Sequence, residues 1–151
     1  MVPTNLQDII NYAVEKEQEA ADFYHDMASK IKHPALVKEL RNIAAMEEGH
    51  RDKLLKLEVQ ETAKLAPKNV ADLKIADYLV DKEPNDEMSW QDILTIAMKR
   101  ELSAKNLYTT LSKMFEKDKN ISNLFSHLAS EEAAHKLYFE KIYDDEILTG
   151  N

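Results

Sequence analysis

The stretch LRNIAAMEEGHRDKLLKL, residues 40–57, decides how this chain is read. Steps of three and four residues trace the inner face of a bundle helix. Starting from Leu36, they pass through Leu40, Ile43, Glu47, His50, Leu54 and Leu57. The register is unbroken, so Glu47 and His50 stand where leucine or isoleucine belongs. The same thing happens near the end of the chain. There the seam runs Ile121, Phe125, Leu128, Glu132, His135, Phe139, Ile142. Two further seams carry a central glutamate without a histidine. One is Leu6, Ile10, Ala13, Glu17, Ala20, Tyr24, Met27, Ile31, and the other is Leu94, Ala97, Glu101, Ala104, Tyr108, Leu111, Phe115.

Working outward from these seams gives four helices. The first is expected over about 6–31, capped by Pro3-Thr4-Asn5, and the pair His33-Pro34 breaks it. The second runs over about 34–63, because proline suits a first turn. Ser89 and Asp92 form a capping pair for the third, over about 89–116, and the fourth covers about 120–147. Between the halves lies LAPKNVADLKIADYLVDKEPNDEM, residues 65–88, too long for a tight turn and too apolar for a linker. This crossover, 64–88, is expected to pack along the bundle, with a helical turn at Leu73–Leu79. The architecture is therefore all-α: a four-helix bundle of the ferritin-like kind, two helical hairpins joined by one long crossover, as a single domain over 1–151. Composition agrees. With 2 glycines and 4 prolines in 151 residues, few turns are available, which favours long helices.

Bulk properties exclude several functions. A formal net charge of −8 and no basic stripe argue against nucleic acid. The absence of cysteine removes disulfides, thiolate zinc sites and cysteine-ligated iron–sulfur clusters. No apolar run approaches a membrane span, and the start, MVPTNLQDII, lacks the pattern of a secretory signal. A cytoplasmic protein is expected.

Four buried glutamates need an explanation. An isolated buried carboxylate costs several kcal/mol or more, and four at one depth also repel each other. No lysine or arginine lies on the central seams. Either the carboxylates protonate or cations sit among them, and two divalent ions would balance four carboxylates, with the histidines bound as neutral imidazoles. Glu and His at i and i+3 lie about 60° apart around the helix and roughly 4.5 Å apart along it, so both can reach one metal. An internal repeat supports the choice of residues. Glu17 to Glu101 is 84 residues, Tyr24 to Tyr108 is 84, and His50 to His135 is 85. Glu48 aligns with Ala133, and Glu131 with Met46, so neither survives the repeat. A single Glu-x-x-His in a glutamate-rich chain is ordinary; two on matching seams, beside two more seam glutamates, point to metal. Tyr24 and Tyr108 sit where a hydroxyl could reach a ligand carboxylate. His25, His33 and His127 fall outside the seams and are read as surface. Nitrogen and oxygen ligands suit iron, manganese or zinc.

The chain resembles the rubrerythrin-like branch of the ferritin-like superfamily. The likeness rests on EKEQEAADFY with Glu17 and Tyr24, MEEGH with Glu47 and His50, KRELSAKNLY with Glu101 and Tyr108, and SEEAAH with Glu132 and His135. It implies two metal ions per chain as a non-haem di-iron centre. Glu47 and His50 would bind one iron, Glu132 and His135 the other, and Glu17 and Glu101 would help hold both. It also implies an oxidoreductase that reduces hydrogen peroxide or dioxygen. Rubrerythrins usually carry a four-cysteine rubredoxin domain. None is present here, so electrons are expected from a separate donor protein such as a rubredoxin. Rubrerythrins also place an extra glutamate where this chain has Ala104, leaving a six-ligand set closer to that of bacterioferritin. The alternatives are iron handling, as a ferroxidase or store, and a non-catalytic metal-binding bundle. A homodimer is expected, with hairpin exchange through the crossover as one form of it.

Overall fold

The computed structural model describes residues 6–57 and 89–145. They form four helices and, among the described residues, no strand. They are α1 (Leu6–Lys30), α2 (Pro34–Leu55), α3 (Trp90–Met114) and α4 (Lys119–Tyr143). The chain divides into two units, Met1–Leu73 and Lys74–Asn151. In the first, α1 packs on α2; in the second, α3 packs on α4.

The first hairpin turns over residues 31–33. A residue before proline is driven out of the helical region by the proline ring. His33 accordingly is extended, at φ −106° and ψ 104°, with Pro34 in the first turn of α2. His33 then caps α2 itself: its Nδ1 accepts from the Leu36 amide at 3.3 Å. His33 is exposed, as expected, and the His33-Pro34 pair separates the two helices as its sequence indicates. The second hairpin turns through Phe115 and Asp118. The Asp118 carboxylate accepts from the Ile121 amide at 3.1 Å and starts α4. Ser112 and Ser122 clasp α3 and α4 just inside this turn, each hydroxyl donating to the other residue's carbonyl, at 2.9 and 2.8 Å. At the start of α3 the expected capping box is present. Ser89 accepts from the Asp92 amide at 3.2 Å, and Asp92 accepts from the Ser89 amide at 3.3 Å.

The seams hold, with local corrections. Leu40, Leu54, Leu94, Leu111, Phe125, Leu128 and Phe139 are fully buried, each contributing about 1.5–3 kcal/mol. Ala20 and Ala104, expected inside, are only half-buried, and Ala21 is buried instead of Ala20. The buried stripe of α1 is wider than a single seam and also takes in Ile9, Phe23 and Ala28. A 3.6-residue helix drifts relative to a 3.5-residue seam, so a long helix presents neighbouring positions in turn. Ile31 and Leu57 lie just past the ends of α1 and α2 and Ile142 in the last turn of α4, and all three are half-buried.

Helix ends also differ from expectation. The second helix was expected to reach about 63; α2 ends at Leu55, with Lys56 as its cap and the Leu57 amide donating to the Leu54 carbonyl in a tighter turn. Residues 58–63 lie outside the described residues. α4 ends at Tyr143 rather than near 147, and 146–147 lie outside as well. So do the Pro3-Thr4-Asn5 cap and the crossover with its turn at Leu73–Leu79.

Candidate metal centre

Each hairpin gathers one histidine and two glutamates. In the first, α1 supplies Glu17 and α2 supplies Glu47 and His50, exposed by 2%, 1% and 1%. In the second, α3 supplies Glu101 and α4 supplies Glu132 and His135, exposed by 1%, 1% and 5%. One ligand atom from each residue of a set lies within 4.8 Å of the others in that set. All six residues singled out from the sequence are therefore buried, and each hairpin brings its own three together.

The local reason is helix geometry. Within α2 and α4, the i, i+3 spacing aims the carboxylate and imidazole of each pair in similar directions. The third ligand comes from the facing helix at the same height.

The distances between the ligand atoms are longer than those of hydrogen bonds. His50 Nδ1 lies 3.5 Å from Glu17 Oε2 and 4.0 Å from Glu47 Oε2. His135 Nδ1 lies 3.6 Å from Glu101 Oε1. A hydrogen bond would bring such atoms to about 2.7–3.2 Å. Two donors sharing one metal at about 2.1 Å stand roughly 3–4 Å apart, depending on the bond angle. The observed spacings are compatible with co-ligands of one ion. Two carboxylates and a neutral imidazole are also the right chemistry for a divalent first-row ion. The residues present fit such a group.

Tyr24 and Tyr108 are buried, at 0% and 2% exposure. Each packs against aromatic rings of its own hairpin. Tyr24 meets Phe23 edge-on at 5.3 Å between centroids, and Tyr108 stacks on Phe125 at 6.0 Å.

Polar contacts between α1 and α2 join residues next in sequence to the first set, and seam analysis missed these pairings. Arg51 Nη1 donates to Gln18 Oε1, joining α2 to α1. These two residues directly follow His50 and Glu17 in sequence. His25 Nε2 lies 3.1 Å from Glu48 Oε1, again across the two helices. Arg41 Nη1 lies 3.3 Å from His25 Nδ1. A guanidinium can only donate, so His25 Nδ1 accepts and its Nε2 carries the proton given to Glu48. In the second hairpin, His127 pairs with Glu131 and Lys136 with Glu140, each pair within α4. The repeat had flagged Glu48 and Glu131 as the unmatched acids. The partner of Glu131 lies one helical turn away on α4, whereas that of Glu48 lies on the facing helix and only packing identifies it.

With this geometry in hand, the comparison with known families is decisive. The family model described as Rubrerythrin matches residues 1–58 and 92–149, which takes in all four helices and both ligand sets. The chain belongs to the rubrerythrin family, whose fold is the ferritin-like four-helix bundle. No match was found among curated proteins or among solved structures.

Proposed function

We propose that this protein is a non-haem di-iron oxidoreductase that reduces hydrogen peroxide or dioxygen. The observation that carries the reading is the pair of equivalent buried sets, Glu17–Glu47–His50 and Glu101–Glu132–His135, in a chain of this family. Each hairpin supplies three of six ligands, for two metal ions per chain. Four carboxylates would offset the charge of two divalent ions, and the two imidazoles would add nitrogen donors.

Bound iron would supply two one-electron oxidations, matching the two electrons that peroxide takes up on reduction to water. The protein's own residues do the rest. The carboxylates and imidazoles fix the coordination positions, and the buried leucines and aromatic rings above and below them keep bulk water away. Tyr24 and Tyr108 orient ligand carboxylates through their hydroxyls. The 151 residues contain no cysteine, so reducing equivalents come from a donor outside them, such as a rubredoxin. The protein works in the cytoplasm as a homodimer.

A second reading, iron oxidation for storage or transfer, draws on Ala104, which stands where rubrerythrins carry another glutamate. The oxidant separates the two. The protein is loaded anaerobically with ferrous iron, freed of excess and mixed with peroxide or dioxygen, and oxidation is followed optically. Two irons per chain, faster oxidation by peroxide and repeated turnover with reduced rubredoxin support the reductase. Preference for dioxygen, with uptake of iron well beyond two per chain, supports storage. Stoichiometric metal without turnover on either oxidant would reduce the protein to a metal-binding bundle.

A further inference from the structure

The repeat allows the outer faces of the two hairpins to be compared position by position. An offset of 84 residues carries α1 onto α3, and 85 carries α2 onto α4. In the first hairpin Gln18 meets Arg51 and His25 meets Glu48 across the two helices, and Asp52 receives Arg51 Nε at 3.0 Å. Gln18, Glu48 and Asp52 make that face polar. Their counterparts in the second hairpin are Leu102, Ala133 and Leu137. Leu102 is 39% exposed and Leu137 is 65% exposed, the most of any large hydrophobic side chain among the described residues. The apolar character is thus particular to one hairpin and is not a property of the repeat.

Helical spacing gathers these residues into a patch. Met98 and Leu102 stand four apart on α3, and Ala133 and Leu137 four apart on α4, so each pair shares a face. Leu102 directly follows Glu101, and Ala133 and Leu137 bracket His135, which puts the patch at the height of the ligands. The other exposed large hydrophobics, Met46 and Leu55, lie nine residues apart on α2. At 100° per residue they point to opposite sides and form no patch together. Lysines ring the second hairpin's patch. Lys99 and Lys105 stand three residues either side of Leu102, Lys136 precedes Leu137, and Lys141 lies one turn beyond it. Lys99 and Lys141 are exposed, and Lys105 and Lys136 half-buried. Glu140, paired with Lys136, is the acid on this side of α4. At the matching places the first hairpin sets Glu15, Glu48 and Asp52 against Arg51 and Lys56.

An exposed apolar patch with a charged rim is the make-up of an interaction surface. A second copy of the chain, docked by a two-fold axis, would set the same lysines against each other. Charge complementarity favours an acidic partner instead. The chain carries −8 overall, so an acidic protein is repelled elsewhere and drawn in here, which orients it on approach. We propose that the outer face of the second hairpin, centred on Leu102 and Leu137, is where the electron donor docks, and that the donor is a small protein whose apolar contact surface is ringed by carboxylates. Seated there, it stands about one helix thickness, roughly 10 Å, from the ligand set of that hairpin. Each docking gives up one electron, and two dockings return the two electrons that one peroxide removes. Electron-carrier contacts are small and weak, in keeping with a patch of a few side chains. This rests on the oxidoreductase reading above.

The test uses the full chain, labelled with 15N, and an oxidised rubredoxin of net negative charge as the probe, followed by NMR at low ionic strength. Amide shifts should change over residues 98–105 and 133–141, and the complex should weaken as salt is added. Leu137→Gln with Lys99→Glu should raise Kd by about 10-fold or more. Glu15→Gln, at the place in the first hairpin that matches Lys99, should leave Kd within about 2-fold. Melting followed by circular dichroism checks that each variant folds; if the double variant does not, Leu137→Gln alone carries the test. Shifts confined to α1 and α2, or a double variant that binds as wild type does, would overturn the docking face. Absence of any shift would overturn it too, and so would self-association of wild type that Leu137→Gln abolishes, since a second copy would then cover the face. Binding is read here without metal or turnover, so its failure leaves the oxidoreductase reading to be judged by the oxidant kinetics.

Discussion

Replacing Glu47 with leucine should change the stability of the protein in opposite directions with and without metal. Glu47 is 1% exposed on the inner face of α2, between Leu40 and Ile43 on one side and Leu54 on the other, with Glu17 and His50 beside it. Leucine has nearly the same volume, so the swap neither opens a large cavity nor overpacks the core. In the metal-free protein the substitution removes one of several buried acidic groups crowded within 4.8 Å. Replacing buried charged groups by apolar ones of similar size is neutral to stabilising, by as much as 1–4 kcal/mol. A value of about 2 kcal/mol would raise Tm by about 4–8 °C in a chain of this size. Metal reverses the sign. Ligand at about 1,000 times its Kd stabilises wild type by about 4 kcal/mol, and the variant, one carboxylate short, forfeits most of that. Melts of both proteins in chelator and in excess Co2+ should therefore cross: the variant higher in chelator, wild type higher in metal. A variant that melts several degrees lower in chelator would refute the reasoning. It would mean that the carboxylate makes net favourable contacts with the protein and needs no cation.

Tyr12 carries a pH prediction. Its hydroxyl is pushed up from 10.0 to about 12, first by burial, then by the carboxylates of Glu19 and Glu15. The folded chain thus keeps a proton that the unfolded chain releases near 10, so this contribution is whole below pH 10 and is lost as pH rises through about 12. Tyr12→Phe should flatten the fall of stability across that window in denaturant titrations, and an unchanged slope would count against the assignment. Phe125 is fully buried, stacked on Tyr108 and 6.4 Å from Phe115; Phe125→Ala should cost about 3–5 kcal/mol in urea unfolding. Gly49 lies inside α2, and a Cβ there would meet nothing within 4 Å. Gly49→Ala should therefore stabilise the protein by roughly 0.5–1 kcal/mol, and a lower Tm would show that this position is not open.

The centre of the molecule was legible in the sequence because helical geometry is local. Residues three and four apart share a face whatever the neighbours are, so Glu47, His50, Glu132 and His135 could be placed inside from spacing alone. The repeat then separated Glu17 and Glu101 from the other acids of α1 and α3. Ser89 with Asp92 marked the start of α3 for the same reason, since a capping box is satisfied within four residues.

What spacing could not supply was anything that depends on a second helix. The exchange of Ala20 for Ala21 in the core follows from how α1 drifts across what it packs against. Gln18 and Arg51 are 33 residues apart, and His25 and Glu48 are 23 apart. No periodicity links such pairs; only packing brings their side chains within reach. The sequence by itself thus determined which residues lie inside and which could bind a metal. Tertiary structure alone decided which side chains meet across helices, because those hydrogen bonds join residues far apart in sequence rather than along one helix.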